Sequence, residues 1–379
     1  MKLLIVSHTY TISFNQRKWI EMKQISQEIV LRIITPRSVK HTFGRYTREI
    51  APELTKEEVV DINDIFFKSH MTYFLDPLRF AKILRDFQPD RIHIEEDPYS
   101  AIGVETVFLA RHFCPEAKIS FFIWDNLARE PHFPFDLIKW RLNRYSLSRA
   151  DLVICGNREG QTLLHNKKGY KGRSAVLPQL GLCAADYQGG KNDLLREQLN
   201  INKDIPLIGY VGRLIPEKGI AHLMEALCRI QKIPWRLLIL GSGPLEEAIC
   251  KNWLPIFGDR LIYRKAVPHA EVPDYMRALD ILVLPSYTTE TWKEQFGLVL
   301  AQAMLAAVPC IGSSSGAIPD VIGPGGIVFQ EKNIDELTTA LVQLLTDSEL
   351  RSSFGEAARS FALKHYSHRA IANAYLALF

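Results

Sequence analysis

Short apolar runs recur along the chain, each followed by a polar loop and then a longer stretch with helical spacing. The runs lie at 2–7 (KLLIVS), 89–96 (PDRIHIEE), 118–124 (KISFFIW), 151–155 (DLVIC) and 174–177 (SAVL). They continue at 207–211 (LIGYV), 237–240 (LLIL), 261–264 (LIYR) and 281–284 (ILVL). Runs this apolar and this short fit strands buried on both faces, and their alternation with helical stretches predicts parallel sheets with crossover helices. A chain of 379 residues exceeds one comfortable core, so two domains are expected. The polar stretch 184–204, with its Gly189-Gly190 pair, marks the boundary: 1–183, then 184–361.

The stretch 282–320 concentrates the candidate chemistry. A buried strand runs into a polar loop carrying Glu294, Gln295, Phe296 and Gly297, and a helix is predicted from about Leu298. The first N–H groups of a helix lack internal partners and carry partial positive charge, so they suit an anion. Glu294 is acceptor-only when ionised and can orient sugar hydroxyls. Gln302 follows eight positions later. Upstream, Gly212 lets the backbone approach a ligand, Arg213 offers a planar fork of donors, and Lys218 offers a point charge. Two cations near a diphosphate suit stabilisation of a leaving group. The other reading of this segment is a turn with surface charges.

Three motifs carry a resemblance to a known family. Glu294-Gln295-Phe296-Gly297, with Gln302 eight residues after the Glu, resembles the Glu-x7-Glu signature of retaining glycosyltransferases of family four. Gly212-Arg213-Leu214-Ile215-Pro216-Glu217-Lys218-Gly219 resembles the family's donor-phosphate motif, and Gly316-Ala317-Ile318-Pro319-Asp320 resembles its G-G-I-P-E turn. They occur in the family's order, and the resemblance covers most of the chain. It implies an α/β fold of two Rossmann-like parallel-sheet domains facing across a cleft (GT-B). The N-terminal domain would take the acceptor and the C-terminal domain the donor, with a last helix, about 362–379, crossing back onto the first.

The resemblance further implies a retaining, metal-independent hexosyltransferase using a UDP- or GDP-sugar, without a cofactor. Glu294, Arg213 and Lys218 would be catalytic. Gly212, Ser242, Val267, Phe296, Gly297, Leu298, Gln302, Gly316, Ala317 and Ile318 would bind the donor. Gln302 stands where the family has its second Glu, and its amide oxygen can still accept from ribose. Trp124 stands where many members have a His, so no histidine role is carried over.

Residues for the acceptor come from strand ends. His8 follows the first strand, at the end where ligands bind in open α/β sheets. Residues 8–18 contain no glycine, so the dinucleotide fingerprint is missing and a hydride-transfer enzyme is disfavoured. Glu95, Glu96 and Asp97 end another strand. Alternation lets only one of the first two face a ligand, taken as Glu96, and helix capping is expected to occupy at least one of the three. Asp125 and Asn126 follow the run at 118–124. The alternatives are a non-catalytic sugar-nucleotide-binding partner in a polysaccharide assembly complex and a GT-B-fold nucleotide-sugar epimerase.

Composition adds less. At 47% hydrophobic and 23% charged the chain reads as an ordinary globular protein. Six cysteines without metal spacing are expected as buried hydrophobes in a reducing cytosol. No apolar run reaches the ~20 residues of a membrane span, and the start is too quickly polar for a signal peptide.

The net charge of +4 is uneven. Residues 1–180 carry 27 Lys+Arg against 21 Asp+Glu, the rest 19 against 21. A basic first half suits an anionic partner such as a membrane surface or a charged acceptor, or else is a solvated face. Two segments stand out: the irregular basic stretch 35–48, and a basic-aromatic helix over 134–149, which would pack on the sheet or lie at a membrane interface. Nucleic acid is not expected. A cytoplasmic location is, with possible peripheral membrane contact.

Overall fold

The computed structural model describes residues 1–41, 44–65, 72–128 and 135–379, without side-chain detail for 40–46, 64–65 and 135. The chain divides into two compact units. One comprises Met1–Gly181 with His368–Phe379, the other Leu182–Ser367. The returning C-terminal helix, His368–Leu378, therefore begins six residues later than the sequence expectation, because Ser348–His365 is a separate helix that packs in the second unit.

The first unit is built on seven parallel strands. They are β1 (Lys2–Val6), β2 (Val30–Pro36), β3 (Val59–Ile62), β4 (Arg91–Ile94), β5 (Lys118–Ile123), β6 (Leu152–Cys155) and β7 (Arg173–Val176), in the order β7-β6-β5-β4-β1-β2-β3. Side chains alternate across the sheet. Leu4, Val6, Ile92, Ile94 and Phe121 pack on one face, and Leu3, Ile5, Ile33, Phe122 and Ile154 on the other. The second face receives Ile371 and Tyr375 of the C-terminal helix.

The basic stretch expected to be irregular is instead the end of β2 followed by an antiparallel pair, Ser38–His41 and Gly44–Thr47. The side chains of Lys40, His41 and Arg45 in this stretch lie outside the described residues, as does Pro134. The helix expected over 134–149 spans Phe135–Leu147.

The second unit carries six parallel strands: β8 (Leu207–Val211), β9 (Arg236–Leu240), β10 (Leu261–Arg264), β11 (Ile281–Leu284), β12 (Cys310–Ser313) and β13 (Gly326–Phe329). Their order is β10-β9-β8-β11-β12-β13. Every strand pair in both sheets is parallel, as near-continuous apolar strands require. Cys114, Cys155 and Cys310 are buried as expected of small hydrophobes, whereas Cys250 is exposed. Among the described residues no helix is long and apolar enough to cross a membrane.

In each sheet the strand order reverses beside the first strand, between β1 and β4 and between β8 and β11. The crevice at such a reversal, beyond the carboxyl ends of the strands, is where open α/β sheets bind ligands.

Candidate active site

In the second unit three loops meet beyond the ends of β8, β11 and β12. The loop after β8 carries Gly212 and Arg213 and turns through the short helix Pro216–Lys218. The loop after β11 carries Glu294 and leads to the helix Leu298–Leu305. The third runs from β12 to Gly316. Lys218 Nζ donates to Glu294 Oε2 at 2.5 Å, which ties the first loop to the second. Ser286 Oγ adds a bond to the same oxygen at 3.0 Å. The Trp292 ring lies 5.1 Å from Lys218 Nζ, within cation–π range.

Glycine makes this convergence possible. Gly316 has φ +58°, and a Cβ there would lie 2.0 Å from the Glu294 carbonyl oxygen. That oxygen accepts the Ala317 N–H at 3.1 Å, while the Ile318 N–H donates to Ser315 O. The Ala317 amide thus braces Glu294 from behind, and the Ile318 amide closes the turn on Ser315. Gly219, φ +70°, leaves room for the Pro285 carbonyl, which a Cβ would approach to 1.9 Å. Strain or collision at either glycine would push the two loops apart.

Helix Leu298–Leu305 begins after Gly297, in the left-handed region, with no side-chain cap. Its uncapped end lies two residues past Phe296, at a point where an anion is favoured. Gln302 is buried in that helix. Its Nε2 lies 3.5 Å from His269 Nε2, and the buried Tyr187 ends the short segment that packs against this helix. Ser242 Oγ accepts the Ala266 N–H at 3.2 Å, which sets Ser242 beside the segment holding Val267. The Arg213 guanidinium is exposed and makes no ion pair with any described residue.

The sequence-predicted donor residues therefore share one sheet end. Four contributors escaped sequence reasoning: Ser286, Trp292, Tyr187 and Glu331, whose carboxylate accepts the Thr288 N–H at 2.6 Å. Trp292, two residues before Glu294, was the one with a local signal.

The reversal point of the first sheet gathers the acceptor candidates. Glu96 Oε1 accepts from His8 Nδ1 at 2.6 Å, from the His8 N–H at 2.7 Å and from the Tyr73 hydroxyl at 2.9 Å. Burial alone would lower the His8 imidazole, but Glu96 overcomes it and raises the pKa. Asp125 pairs with Lys168 at 3.2 Å, and Asn126 is buried beside it in the chain. Burial pushes Asp97 up, opposed by Lys168 and reinforced by Asp125 and Glu96, so these groups form one electrostatic cluster.

No carboxylate of 95–97 caps the following helix. Ser100 does so, accepting the Gly103 N–H at 3.1 Å, because six residues of loop separate Ile94 from Ala101.

Glu95 faces the opposite side and is wholly enclosed. Lys18 Nζ donates to it at 2.6 Å, Gln179 Nε2 at 2.9 Å, and the Tyr10 hydroxyl also donates. Burial would raise this carboxyl, yet Lys18 and His93 hold it at about 2. Trp124, whose ring packs where Gly156 has no Cβ, fixes Gln179 through an indole N–H bond of 2.7 Å.

Known proteins resemble this chain in sequence and in fold. TuaC of Bacillus subtilis, a candidate teichuronic acid biosynthesis glycosyltransferase, is 32% identical over 371 residues, which cover 90% of this chain and 89% of TuaC. A Methanocaldococcus jannaschii glycosyltransferase, MJ1178, is 26% identical over 227 residues, 58% of this chain and 57% of that protein. Among solved structures, Anabaena Alr3699/HepE in complex with UDP superposes with a TM-score of 0.73 at 17% identity, covering 100% of this chain and 99% of that one. A Rickettsia africae glycosyltransferase gives 0.75 at 15%, covering 100% and 97%.

These structural likenesses establish the fold, GT-B, with two parallel-sheet α/β domains. The profile described as "Glycosyl transferases group 1" matches residues 191–361, the unit that holds Arg213, Lys218 and Glu294. With the profile match and the full-length relative together, this chain belongs to the group 1 glycosyltransferases.

Proposed function

We propose that the chain is a retaining, metal-independent transferase that moves a hexose from a nucleoside diphosphate sugar to a glycan or lipid-linked acceptor. The carrying observation is the Lys218–Glu294 bond, which joins a cation for the diphosphate to a carboxylate for the sugar at the reversal point of the second sheet. The UDP complex of Alr3699/HepE supports the donor class. Relatives named for mannosyl transfer from GDP-mannose leave guanosine open as the base.

In this reading Glu294 accepts from the sugar hydroxyls and positions the ring. Lys218 has three N–H donors, of which Glu294 takes one, so the others serve the diphosphate together with Arg213. The uncapped N–H groups at Leu298 and Val299 add a second source of positive potential. Gln302 and Tyr187 hold the ribose end, and Ser242 and Val267 flank the base. The bond between the anomeric carbon and the phosphate oxygen breaks, and the electron pair leaves with the diphosphate. The acceptor oxygen bonds the same face of that carbon, and its proton passes to the departing phosphate oxygen. His8, Glu96, Asp125 and Asn126 orient the acceptor. The protein works in the cytoplasm, in peripheral contact with a membrane.

The test combines binding with turnover. A thermal-shift screen against UDP, GDP, ADP and CMP, with and without Mg²⁺, should single out one diphosphate. A hundredfold excess over Kd adds about 2.7 kcal/mol of stability. Release of that diphosphate from a matching sugar donor should occur in the wild type and vanish in a folded Glu294→Ala variant. Equal release by both proteins would overturn the catalytic assignment. A Mg²⁺ requirement would overturn the metal-independent one.

A further inference from the structure

One aromatic ring at the donor site does no work in the fold's interior. Trp292 is half-buried, and among the described residues it packs in neither apolar core of the second unit. Its surroundings are charged instead. Lys218 Nζ lies over the indole, 5.1 Å from the ring centre, and the same ammonium donates to Glu294 Oε2 at 2.5 Å. Indole, ammonium and carboxylate thus stand in one row.

The backbone holds this ring in place. Thr289 and Trp292 close a four-residue turn from both sides. The Thr289 N–H donates to Trp292 O at 2.9 Å, and the Trp292 N–H donates to Thr289 Oγ1 at 3.0 Å. Glu290 and Thr291 form the exposed tip. The root of the turn is tied to three other segments. The Tyr287 N–H donates to Glu217 O at 2.9 Å, the Thr288 N–H donates to Glu331 Oε2 at 2.6 Å, and the Thr288 and Ser315 hydroxyls meet at 3.1 Å. A loop held in this way is ordered before a ligand arrives, which removes an entropic cost from binding.

A pyranose ring offers two chemistries to such a loop. Its rim carries hydroxyls, which suit an acceptor-only carboxylate. Its face carries C–H groups, which suit the negative π face of an aromatic ring. Ligand pockets commonly pair apolar or aromatic surface with a few placed polar groups in this manner. Glu294 supplies the group for the rim and Trp292 the surface for the face, two residues apart in one braced segment. Lys218, in contact with both, marks the side on which the diphosphate begins.

We propose that Trp292 is the platform on which the donor hexose lies, and so a specificity-determining residue for the sugar rather than for the nucleotide. The inference rests on the donor site proposed above and deepens it by giving the sugar a partner for its face as well as its rim. The competing role for the ring is to steady Lys218 through the cation–π contact alone. The two roles separate by ligand. A platform meets the sugar nucleotide and not the bare diphosphate, whereas a steadied lysine serves both alike.

The test is calorimetry on the whole chain with UDP, UDP-glucose, GDP and GDP-mannose. The quantity read is the affinity for a sugar nucleotide divided by the affinity for its own diphosphate. Trp292→Ala should lower this ratio about fivefold to tenfold, the order of one aromatic contact. Trp292→Phe should restore most of it. The part of the fluorescence that Trp292→Phe lacks should move to shorter wavelength with the sugar nucleotide and stay in place with the diphosphate. Both affinities falling together, with the ratio unchanged in Trp292→Ala, would overturn the platform and assign the ring to Lys218. Emission indifferent to the sugar would overturn it equally. Melting without ligand reports whether each variant is folded, and if Trp292→Ala is not, Trp292→Leu, which keeps apolar bulk without a π face, carries the same comparison. If the wild type binds neither diphosphate, the donor site itself fails and this inference falls with it. If a diphosphate binds and the ratio ignores Trp292, only this inference fails.

Discussion

Two lysine–glutamate pairs sit at corresponding places in the two units, and they differ in nearly everything but their chemistry. Lys18 and Glu95 are completely shielded from solvent. Glu95 also accepts from Tyr10 and Gln179 and meets His93, and the Lys18 ammonium lies 4.4 Å from the Trp19 ring and 4.2 Å from Tyr375. Lys218 and Glu294 lie nearer the surface, with side chains 13% and 9% exposed. A fully enclosed pair holds a fold in one arrangement. A pair that solvent reaches at the rim of a sheet can exchange partners with a ligand. The contrast teaches that a buried charge is not by itself the mark of a site; solvent access at the end of a sheet is the better guide.

The largest effect should come from breaking the enclosed pair. Lys18→Ala leaves Glu95 buried and unpaired, at a cost of about 3–5 kcal/mol in urea unfolding of the first unit. Nucleotide binding to the second unit should persist. Replacing both partners together, Lys18→Met with Glu95→Leu, should recover most of that stability, since apolar replacement of a buried pair is often neutral. The same double strategy at Lys218 and Glu294 should restore nothing.

Next in size is Lys218→Ala. Diphosphate release should fall about 10²–10³-fold, the usual loss when one group facing developing charge is removed, with melting changed far less than for Lys18→Ala. A collapse of stability equal to that of Lys18→Ala would erase the distinction between the pairs.

Titration sharpens the contrast at a smaller scale. Glu95 is held at about 2, below its ordinary 4.5, so its contribution is present above pH 4.5 and is lost as pH falls toward 2. Glu105 behaves oppositely. Burial raises it to about 7, despite a bond from the Leu75 N–H. Between pH 4.5 and 7 the folded chain keeps a proton that the unfolded chain has lost, so stability falls as pH rises through that window. Glu105→Gln should flatten this fall, giving a higher Tm than wild type at pH 8 and a similar one at pH 4. The smallest effect belongs to Gln302→Ala. Loss of one hydrogen bond to the ribose should weaken the preferred diphosphate threefold to tenfold, about 0.5–1.5 kcal/mol by calorimetry.

Much of this was legible in the order of residues. Strands Leu207–Val211, Leu261–Arg264 and Ile281–Leu284, and the helix start at Leu298, read off the chain to the residue, because a strand buried on both faces must be apolar throughout. β2 is interrupted by Arg32 and Thr35, and β12 is the short, mixed CIGS, so neither gave a run of the same clarity. The donor motif was readable because each of its parts is local. Its closure was not: Lys218 and Glu294 are 76 positions apart, and Gly316 matters through a backbone approach that no spacing reveals. The Lys18–Glu95 pair spans 77 positions and left no trace at either end. Capping by 95–97 was misread because three acidic residues outweighed one serine that sat at the helix boundary.

The return of His368–Leu378 to the first unit has a consequence for how the protein is made. Tyr375 closes the core around Lys18 and Trp19, yet it follows the whole second unit in the chain. On the ribosome the first unit is synthesised first but cannot finish until the second has emerged. During that interval its buried lysine and the aromatic ring beside it wait for a partner still to be translated. The first domain to begin folding is therefore the last to be completed, and a nascent chain stalled before residue 368 should show a native second unit beside a protease-sensitive first.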